Sequence, residues 1–253
     1  FEIQDVPIVA MPEAPVGFDE FAVCTFNAEN LFDHIDDGDG DVGDWSPFNA
    51  EAYRQAVSVR ASTVRDGLPG CTVIGLQEVE GKDAVWQALA EAVGPDYRYD
   101  YRESQDVREI TVGILYDVRR AEVWRSESAQ ACTVDDFGVS YGPAVGARSM
   151  PNPCPAGKFP LFDRPPYVAD VTVRNQAGDR SLDLRVTVCH LQSKRGDEAT
   201  TRPRRVLQAG HVASLMTERL SVAVGDLNDA LDSEVLRQFD DGVNLYERHV
   251  GPA

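Results

Sequence analysis

The sequence lacks long apolar runs and is poor in basic residues. None of its apolar stretches approaches the roughly 20 residues that cross a bilayer as a helix, so we expect no membrane-spanning helix. Lys and Arg number 24 against 42 Asp and Glu, which gives a formal net charge of −18. Passive binding to DNA or to an anionic membrane depends on cationic side chains that displace counterions, so the composition argues against it. A bound divalent cation and a few local arginines could still hold a phosphate on such an acidic chain.

Closely spaced cysteines are also missing, because none of the five stands in the CxxC spacing of zinc or redox sites. Cys132 and Cys154 bracket a segment rich in Gly, Pro and Ser, and we predict a disulfide between them. Closing a loop of about 20 residues would contribute about 3 kcal/mol to stability. The alternative is two unrelated thiols. Cys24 and Cys189 lie within apolar strands, where we expect free thiols that act as small core side chains.

Strand and helix patterns alternate along the chain, which predicts an α/β fold. Helical spacing covers 50–66, 83–93 and 204–219, and strand-like alternation covers 108–116 and 167–174. With no internal repeat and no linker, we expect one domain over 21–253, preceded by an N-terminal extension over 1–20. The first residue is Phe1 rather than Met, which leaves room for a removed secretion signal.

Four apolar segments end on polar side chains that are able to do chemistry. The end residues are Asn27, Glu78 and His190 in the first three segments, and the fourth ends on Asp226 and Asn228. Two residues that are two positions apart at a strand end lie on the same face. Because open α/β sheets place their sites where strands end, we expect these side chains to form one site.

Six short blocks occur in an order that resembles the endonuclease/exonuclease/phosphatase superfamily. They are Thr-Phe-Asn-Ala-Glu-Asn-Leu-Phe-Asp at 25–33, Leu-Gln-Glu-Val-Glu at 76–80, Val-Gly-Ile-Leu-Tyr at 112–116, Arg-Pro-Pro at 164–166, Cys-His-Leu-Gln-Ser-Lys at 189–194 and Gly-Asp-Leu-Asn at 225–228. Within this deoxyribonuclease I-like superfamily, the chain is most similar to secreted bacterial nucleases. The resemblance implies a four-layer α/β sandwich, with two mixed β-sheets packed face to face and helices outside.

The resemblance also implies a phosphodiesterase site that depends on Mg²⁺ or Mn²⁺. Glu78 would be the anionic metal ligand, and Asn27 would supply a neutral oxygen to the same ion. Asp226 would orient or deprotonate the attacking water, and Asn228 would donate to the phosphate. His190 would bond the scissile phosphate or act as an acid, and its unperturbed pKa suits work near neutral pH.

Two further residues match phosphate-binding positions of the family. Arg164 could clamp a phosphate with its planar guanidinium, and Tyr116 is a weaker candidate because a tyrosine at a strand end is commonly a core or rim residue. A basic cluster follows His190 and could steer a polyanion toward the site, or it could be an ordinary solvated loop and helix start. Its members are Lys194, Arg195, Arg202, Arg204 and Arg205.

One family motif is missing, since no Asp-His pair follows Asn228. The resemblance implies a late strand that ends in this pair, whose histidine would be the general base. The late histidine His249 follows Arg248, and the chain's Asp-His pair is Asp33-His34 at the other end. We therefore expect a sandwich that lacks its C-terminal strands. The chain could be a segment of a longer enzyme, could need a partner chain, or could be a non-catalytic relative.

An acidic segment after the first block has aspartates at alternate positions, Asp37, Asp39 and Asp41. It is not an EF-hand, because the sixth position is Val42 rather than Gly and the twelfth is Phe48 rather than Glu. A looser Ca²⁺ site or a solvated acidic loop would both fit.

Taken together, the residues and the resemblance favour a divalent-metal-dependent phosphodiesterase that acts on nucleic acid. We expect a secreted, non-specific DNase in an extracellular or periplasmic location. One alternative is a phosphatase or phospholipase on inositol or lipid phosphates. Another is a non-catalytic extracellular relative that binds Ca²⁺ or has a structural role.

Overall fold

The computed structural model describes residues 21–35, 46–104, 106, 108–139, 151–216, 220–230 and 232–239. The predicted N-terminal extension, the three aspartates of the acidic segment and His249 lie outside these ranges. Within them, no helix is long and apolar enough to cross a bilayer.

The described chain contains ten strands and three α-helices, with strands β3 to β9 in succession between the second and third helices. The strands are β1 (Ala22–Leu31), β2 (Cys71–Glu80), β3 (Tyr97–Arg102), β4 (Ile110–Asp117), β5 (Ala121–Ser128), β6 (Cys132–Thr133), β7 (Phe159–Pro160), β8 (Tyr167–Arg174), β9 (Ser181–His190) and β10 (Ser221–Asp226). The helices are α1 (Ala50–Ser62), α2 (Asp83–Val93) and α3 (Glu198–Ser214), with a π-helical turn at Thr63–Gly67 and a 3-10 turn at Leu236–Phe239.

The strands form two four-stranded mixed sheets. The first has the order β1-β2-β4-β3, and the second has the order β10-β9-β8-β5. Strands β1 and β2 are parallel, as are β9 and β10, and the remaining pairs in both sheets are antiparallel. Strands β6 and β7 make a separate two-stranded ribbon.

The inner faces of the two sheets share one apolar core. Val73 and Ile114 of the first sheet pack with Val171, Val186 and Val188 of the second. A Cβ on Gly75 would lie 2.8 Å from a methyl group of Val224 and 3.0 Å from one of Val188, so the second sheet leaves little room for a side chain at this position. This burial follows from the alternation of side chains along a regular strand, in which every second residue faces the partner sheet.

Helices cover both outer faces. Trp86 of α2 packs with Ile74 and Leu76 on the outer side of the first sheet, and α1 joins the same cluster. Val212 of α3 packs with Leu191 at the outer side of the second sheet. The layers therefore run helix, sheet, sheet, helix, which confirms the predicted four-layer α/β sandwich.

All five predicted elements are present, but only two have the predicted bounds. Helix α1 ends at Ser62 rather than 66, β4 covers Ile110–Asp117 rather than 108–116, and α3 ends at Ser214 rather than 219. Helix α2 and strand β8 match the predicted ranges 83–93 and 167–174. Helix α3 begins at Glu198 rather than at 204, because the Asp197 side chain accepts a hydrogen bond from the Ala199 N–H and caps the first turn. Pro203 is accommodated inside this helix, although we expected the helix to begin after it.

Two disulfides are present among the described residues. The predicted Cys132–Cys154 bridge is confirmed, with a Cα–Cα distance of 5.7 Å. The prediction that Cys24 is free is wrong, because Cys24 is bonded to Cys71 and joins the neighbouring strands β1 and β2. Cys189 is free and buried, as expected.

Candidate active site

Three ionisable side chains meet where β2, β9 and β10 end. Glu78, His190 and Asp226 place one ligand atom each within 4.8 Å of one another. The Nε2 atom of His190 lies 3.6 Å from a Glu78 carboxylate oxygen and 3.8 Å from an Asp226 carboxylate oxygen. Glu78 belongs to the first sheet and the other two to the second, so the site bridges the edge of the sandwich.

A bulge in β2 sets the position of Glu78. The pairing of β2 with β4 shifts register between Gln77 and Val79, and Glu78 adopts a left-handed backbone with φ 60°. Its carboxylate accepts a hydrogen bond of 3.1 Å from the backbone N–H of Asn30. Bulges are common beside active sites because they re-aim one side chain of a strand.

A glycine sets the position of Asp226. Strand β10 pairs in parallel with β9, so that Asp226 lies in register with His190. A Cβ on Gly225 would fall 1.9 Å from the carbonyl oxygen of Cys189, and Gly225 has φ 147°. Only glycine permits this approach of the two backbones, which explains why the aspartate follows a glycine.

Both predicted asparagines lie at the site, where they hold Asp226 and its loop. Asn27 donates to one Asp226 carboxylate oxygen at 3.1 Å, and its own amide oxygen accepts the N–H of Glu29 at 2.8 Å. The Asn228 N–H donates to the other Asp226 oxygen at 2.9 Å, and its side-chain amide donates to the Leu191 carbonyl at 3.0 Å. Metal ligation by Asn27 and phosphate binding by Asn228 stay predictions.

Backbone strain concentrates around these residues. In the described part of the chain, the non-glycine residues with positive φ are Glu29, Asn30, Glu78, Glu109 and Asn228. Such conformations cost about 1–3 kcal/mol each and persist where the surroundings hold them, which is common at functional sites.

His190 is buried, and its environment opposes a positive charge. Burial, together with the positive charges of Arg164 and Arg108, holds the pKa of His190 well below its ordinary value of 6.5. The imidazole is therefore neutral at pH 7, and its contacts with Glu78 and Asp226 are not ion pairs. This corrects the expectation of an unperturbed histidine pKa. The Nδ1 atom is buried and has no hydrogen-bond partner in the described structure.

The residues fit a divalent metal ion. Carboxylate oxygens of Glu78 and Asp226 suit a hard cation such as Mg²⁺, and the His190 nitrogen also suits Mn²⁺. Because the three ligand atoms are so close together, one ion could contact all of them. The negative charges of the two carboxylates would be balanced by a divalent cation.

Two arginines and an aspartate lie near the three side chains that could hold a metal ion. Arg164 contacts Asp106 at 3.4 Å, and Arg108 contacts the other oxygen of the same carboxylate at 3.5 Å. Arg108 also donates to the Asn30 side-chain oxygen at 3.0 Å, which links it to the Glu78 loop. Sequence reasoning found Arg164 but missed Asp106 and Arg108, which give only the weak signal of an Asp-x-Arg spacing in a charged loop before β4.

Tyr116 does not lie at this site. It pairs with Val73 near the start of β2, whereas Val112 pairs with Gln77 next to Glu78. At about 3.3 Å per residue, the five positions from Val73 to Glu78 separate Tyr116 from the site by roughly 16 Å. Tyr116 instead lines a separate pocket beside β3. The predicted phosphate-binding role of Tyr116 is therefore not supported by its position.

The basic cluster is largely neutralised by acidic partners. Lys194 and Arg205 both pair with Asp229, at 2.8 and 3.1 Å. Arg204 pairs with Asp163 and Arg202 with Glu234, both at 2.9 Å. Arg204 and Arg205 are buried and brace α3 against the loops next to the site. Their charges are thus used internally, which counts against a role in steering a polyanion.

A family model described as the endonuclease/exonuclease/phosphatase family matches residues 24–251, and the chain belongs to this family. Members of the family are hydrolytic phosphoesterases that generally depend on a divalent metal, so a phosphoesterase is supported. Among proteins with curated descriptions, none matches this chain.

Solved structures that are similar to this chain are distant from it in sequence. A conserved protein of unknown function from Enterococcus faecalis has 12% identity and a TM-score of 0.51, over 87% of this chain and 71% of that one. A mannosyl-6-phosphatase from Bacteroides thetaiotaomicron has 15% identity and a TM-score of 0.49, over 87% and 69%. An endonuclease/exonuclease/phosphatase family protein from the same organism has 16% identity and a TM-score of 0.48, over 87% and 67%.

Proposed function

We propose that this protein is a divalent-metal-dependent phosphodiesterase that hydrolyses nucleic acid. The observation that supports the proposal is the convergence of Glu78, His190 and Asp226, whose ligand atoms lie within 4.8 Å of one another, beside the guanidinium groups of Arg108 and Arg164. Hydrolysis of a phosphodiester needs neutralisation of the non-bridging oxygens, an oriented water and protonation of the leaving oxygen.

Each side chain has a role that fits its surroundings. Glu78 is the principal metal ligand, with the amide oxygen of Asn27 as a neutral donor. When bound, the cation supplies positive charge to the phosphate. Asp226 orients the attacking water. Hydrogen bonds from Asn27 and Asn228, one to each carboxylate oxygen, hold the Asp226 side chain in a fixed orientation for this role. Neutral His190 hydrogen-bonds the phosphate or its leaving oxygen, and Asn228 donates to the phosphate.

The disulfides support a location outside the cytoplasm. Two are present in the described chain, and disulfides persist chiefly in oxidising compartments. We place the nuclease outside the cytoplasm or in the periplasm. Because the protein is acidic, it would bind its substrate through a few local charges and a metal rather than through a basic surface. The substrate in this proposal is DNA without strong sequence preference.

The test is relaxation of supercoiled plasmid with Mg²⁺, with Mn²⁺ and with EDTA. We expect cleavage with metal, none with EDTA, and a loss of at least 10²-fold in Glu78→Gln, whose melting temperature without added metal should equal that of the wild type. Glu91→Gln is the matched control, because Glu91 is an exposed glutamate on the outer face of α2. Cleavage of a phosphomonoester or of sphingomyelin but not of plasmid would replace the nuclease proposal, and Glu78→Gln with wild-type activity would remove Glu78 from the site.

A further inference from the structure

The end of β1 pairs irregularly with β2. Three consecutive residues of β1, Ala28, Glu29 and Asn30, lie opposite Glu78 alone. Glu29 and Asn30 both have left-handed backbone, with φ values of 53° and 55°, which residues other than glycine rarely adopt. Backbone groups that leave a regular ladder must find other hydrogen-bond partners.

A guanidinium group from α1 bonds two carbonyls of this irregular segment. The Nε atom of Arg60 donates to the Ala28 carbonyl at 3.0 Å, and a terminal nitrogen of Arg60 donates to the Glu29 carbonyl at 3.2 Å. Ala28 is fully buried, so water cannot replace Arg60 as the donor to its carbonyl. Hydrogen bonds from a charged donor are stronger than those between neutral groups. Arg60 therefore fastens the left-handed segment to α1.

The same segment contacts both carboxylates of the candidate metal site. The Asn30 N–H donates to Glu78 at 3.1 Å. The Glu29 N–H donates at 2.8 Å to the side-chain oxygen of Asn27, whose amide nitrogen donates to Asp226 at 3.1 Å. Glu78 belongs to the first sheet and Asp226 to the second, so one short stretch of β1 supports a carboxylate from each sheet.

We propose that Arg60 is a positioning residue for the candidate metal site, because it holds the left-handed backbone on which the placement of Glu78 depends. This inference rests on the proposed metal-dependent function and adds a residue of α1 to it. Left-handed backbone in residues other than glycine persists where the surroundings enforce it, so the segment would relax without Arg60. The Asn30 N–H would then leave the Glu78 carboxylate, and the carboxylate would lose its fixed place beside Asp226.

Amide hydrogen exchange in the metal-free protein tests this link directly. Arg60→Met keeps the helix propensity and much of the side-chain length but removes the donors. We expect exchange of the Asn30 N–H to accelerate at least tenfold relative to that of Ile114, a buried residue of β4 whose amide reports on global unfolding. Arg54→Met is the matched control, because Arg54 lies on the same helix in an exposed ion pair with Glu51. Its exchange ratio should stay within twofold of the wild type.

Titration with Mn²⁺, followed by the EPR signal of the free ion, gives a second readout. Residues that support metal ligands typically change metal affinity severalfold or more, so the dissociation constant should rise at least about fivefold in Arg60→Met. It should change less than twofold in Arg54→Met. Arg60→Lys retains a charged donor and should recover part of both losses. A merely structural role would lower the melting temperature and leave the Mn²⁺ affinity of the folded protein unchanged.

The outcomes separate this inference from the proposed function. If the wild type binds no Mn²⁺, the proposed metal-dependent function fails, and exchange of the Asn30 N–H alone decides the role of Arg60. An equal acceleration at Asn30 and Ile114, or wild-type affinity of Arg60→Met for an ion that the wild type binds, overturns the inference. If Arg60→Met does not fold, Arg60→Lys replaces it, with an expected acceleration of about threefold at Asn30, and exchange at the wild-type rate in that variant overturns the inference.

Discussion

Replacing Arg205 by methionine tests how the loop after β10 is held. Arg205 is fully buried in α3, and its Nε donates to the Asp229 carboxylate at 3.1 Å, one residue after Asn228. Its other nitrogens bond Glu198 and the carbonyl oxygen of Ser193. Methionine keeps much of the side-chain volume and the helix propensity, so the change removes mainly the charge and the hydrogen bonds.

The expected cost is about 2–3 kcal/mol in the free energy of unfolding. Removing one partner of a buried ion pair costs about 3–5 kcal/mol, because the other charge is left buried. Here Lys194 still contacts Asp229 at 2.8 Å, and the Glu198 side chain is 51% exposed, so part of the cost is relieved. Arg202→Met is the control on the same helix, since its pair with Glu234 is about half exposed at both ends. That variant should cost less than about 0.5 kcal/mol.

Urea unfolding at several pH values checks both the magnitude and the cause. Burial alone would raise the pKa of Asp229, but hydrogen bonds from Lys194, the Ala230 N–H and Arg205 lower it below its ordinary value of 3.8. A lowered carboxyl pKa stabilises the fold above the unfolded pKa, and this stabilisation is lost as the pH falls. The penalty of Arg205→Met should therefore shrink between pH 7 and pH 3. A penalty equal to that of Arg202→Met, or one that does not change with pH, would refute the reasoning.

Three further predictions concern packing, covalent links and metal binding. Gly113→Ala should destabilise the protein by about 1–3 kcal/mol, because the new Cβ would lie 2.5 Å from the Asp100 carbonyl oxygen and 2.8 Å from Trp86; Gly210→Ala, where the nearest atom is 3.5 Å away, is the control in thermal melts. Non-reducing peptide mapping should recover both disulfides, and the Cys132→Ser, Cys154→Ser double variant should lose about 3 kcal/mol; free thiols at these positions in the native protein would contradict the structure. Mg²⁺ at 100-fold excess over its Kd should add about 2.7 kcal/mol to the free energy of unfolding and so raise the melting temperature. Glu78→Gln should abolish this increase. An equal shift in that variant would place the ion elsewhere.

The positions of the principal site residues could be predicted from the sequence because strand geometry is simple. Alternating apolar residues predict strands, and strand ends meet at one edge of a sheet. The polar residues that end β2, β9 and β10 therefore converge as expected, and the six ordered blocks gave the fold. The left-handed backbone of Glu78 could not be predicted from alternation. It belongs to a bulge, and a bulge depends on how β2 pairs with β4.

Features that depend on distant pairings were missed. The Cys24–Cys71 bridge requires knowledge that β1 and β2 are neighbours in one sheet, which no local pattern reveals. Asp106 and Arg108 resemble any charged surface loop until Arg164, far along the chain, is placed against them. Tyr116 was predicted at the site because its sequence block matches the family. Its pairing with Val73 instead puts it at the end of β4 that lies far from Glu78.

The division of the site between the two sheets has a consequence for the synthesis of the protein. A nascent chain that has formed only its first sheet possesses Glu78 and Asn27, but His190 and Asp226 arrive with the last strands of the second sheet. Hydrolytic competence therefore cannot precede the docking of the two halves. If the proposed hydrolysis takes place at this site, the appearance of activity in a refolding experiment would report the final assembly of the two sheets rather than the collapse of the chain.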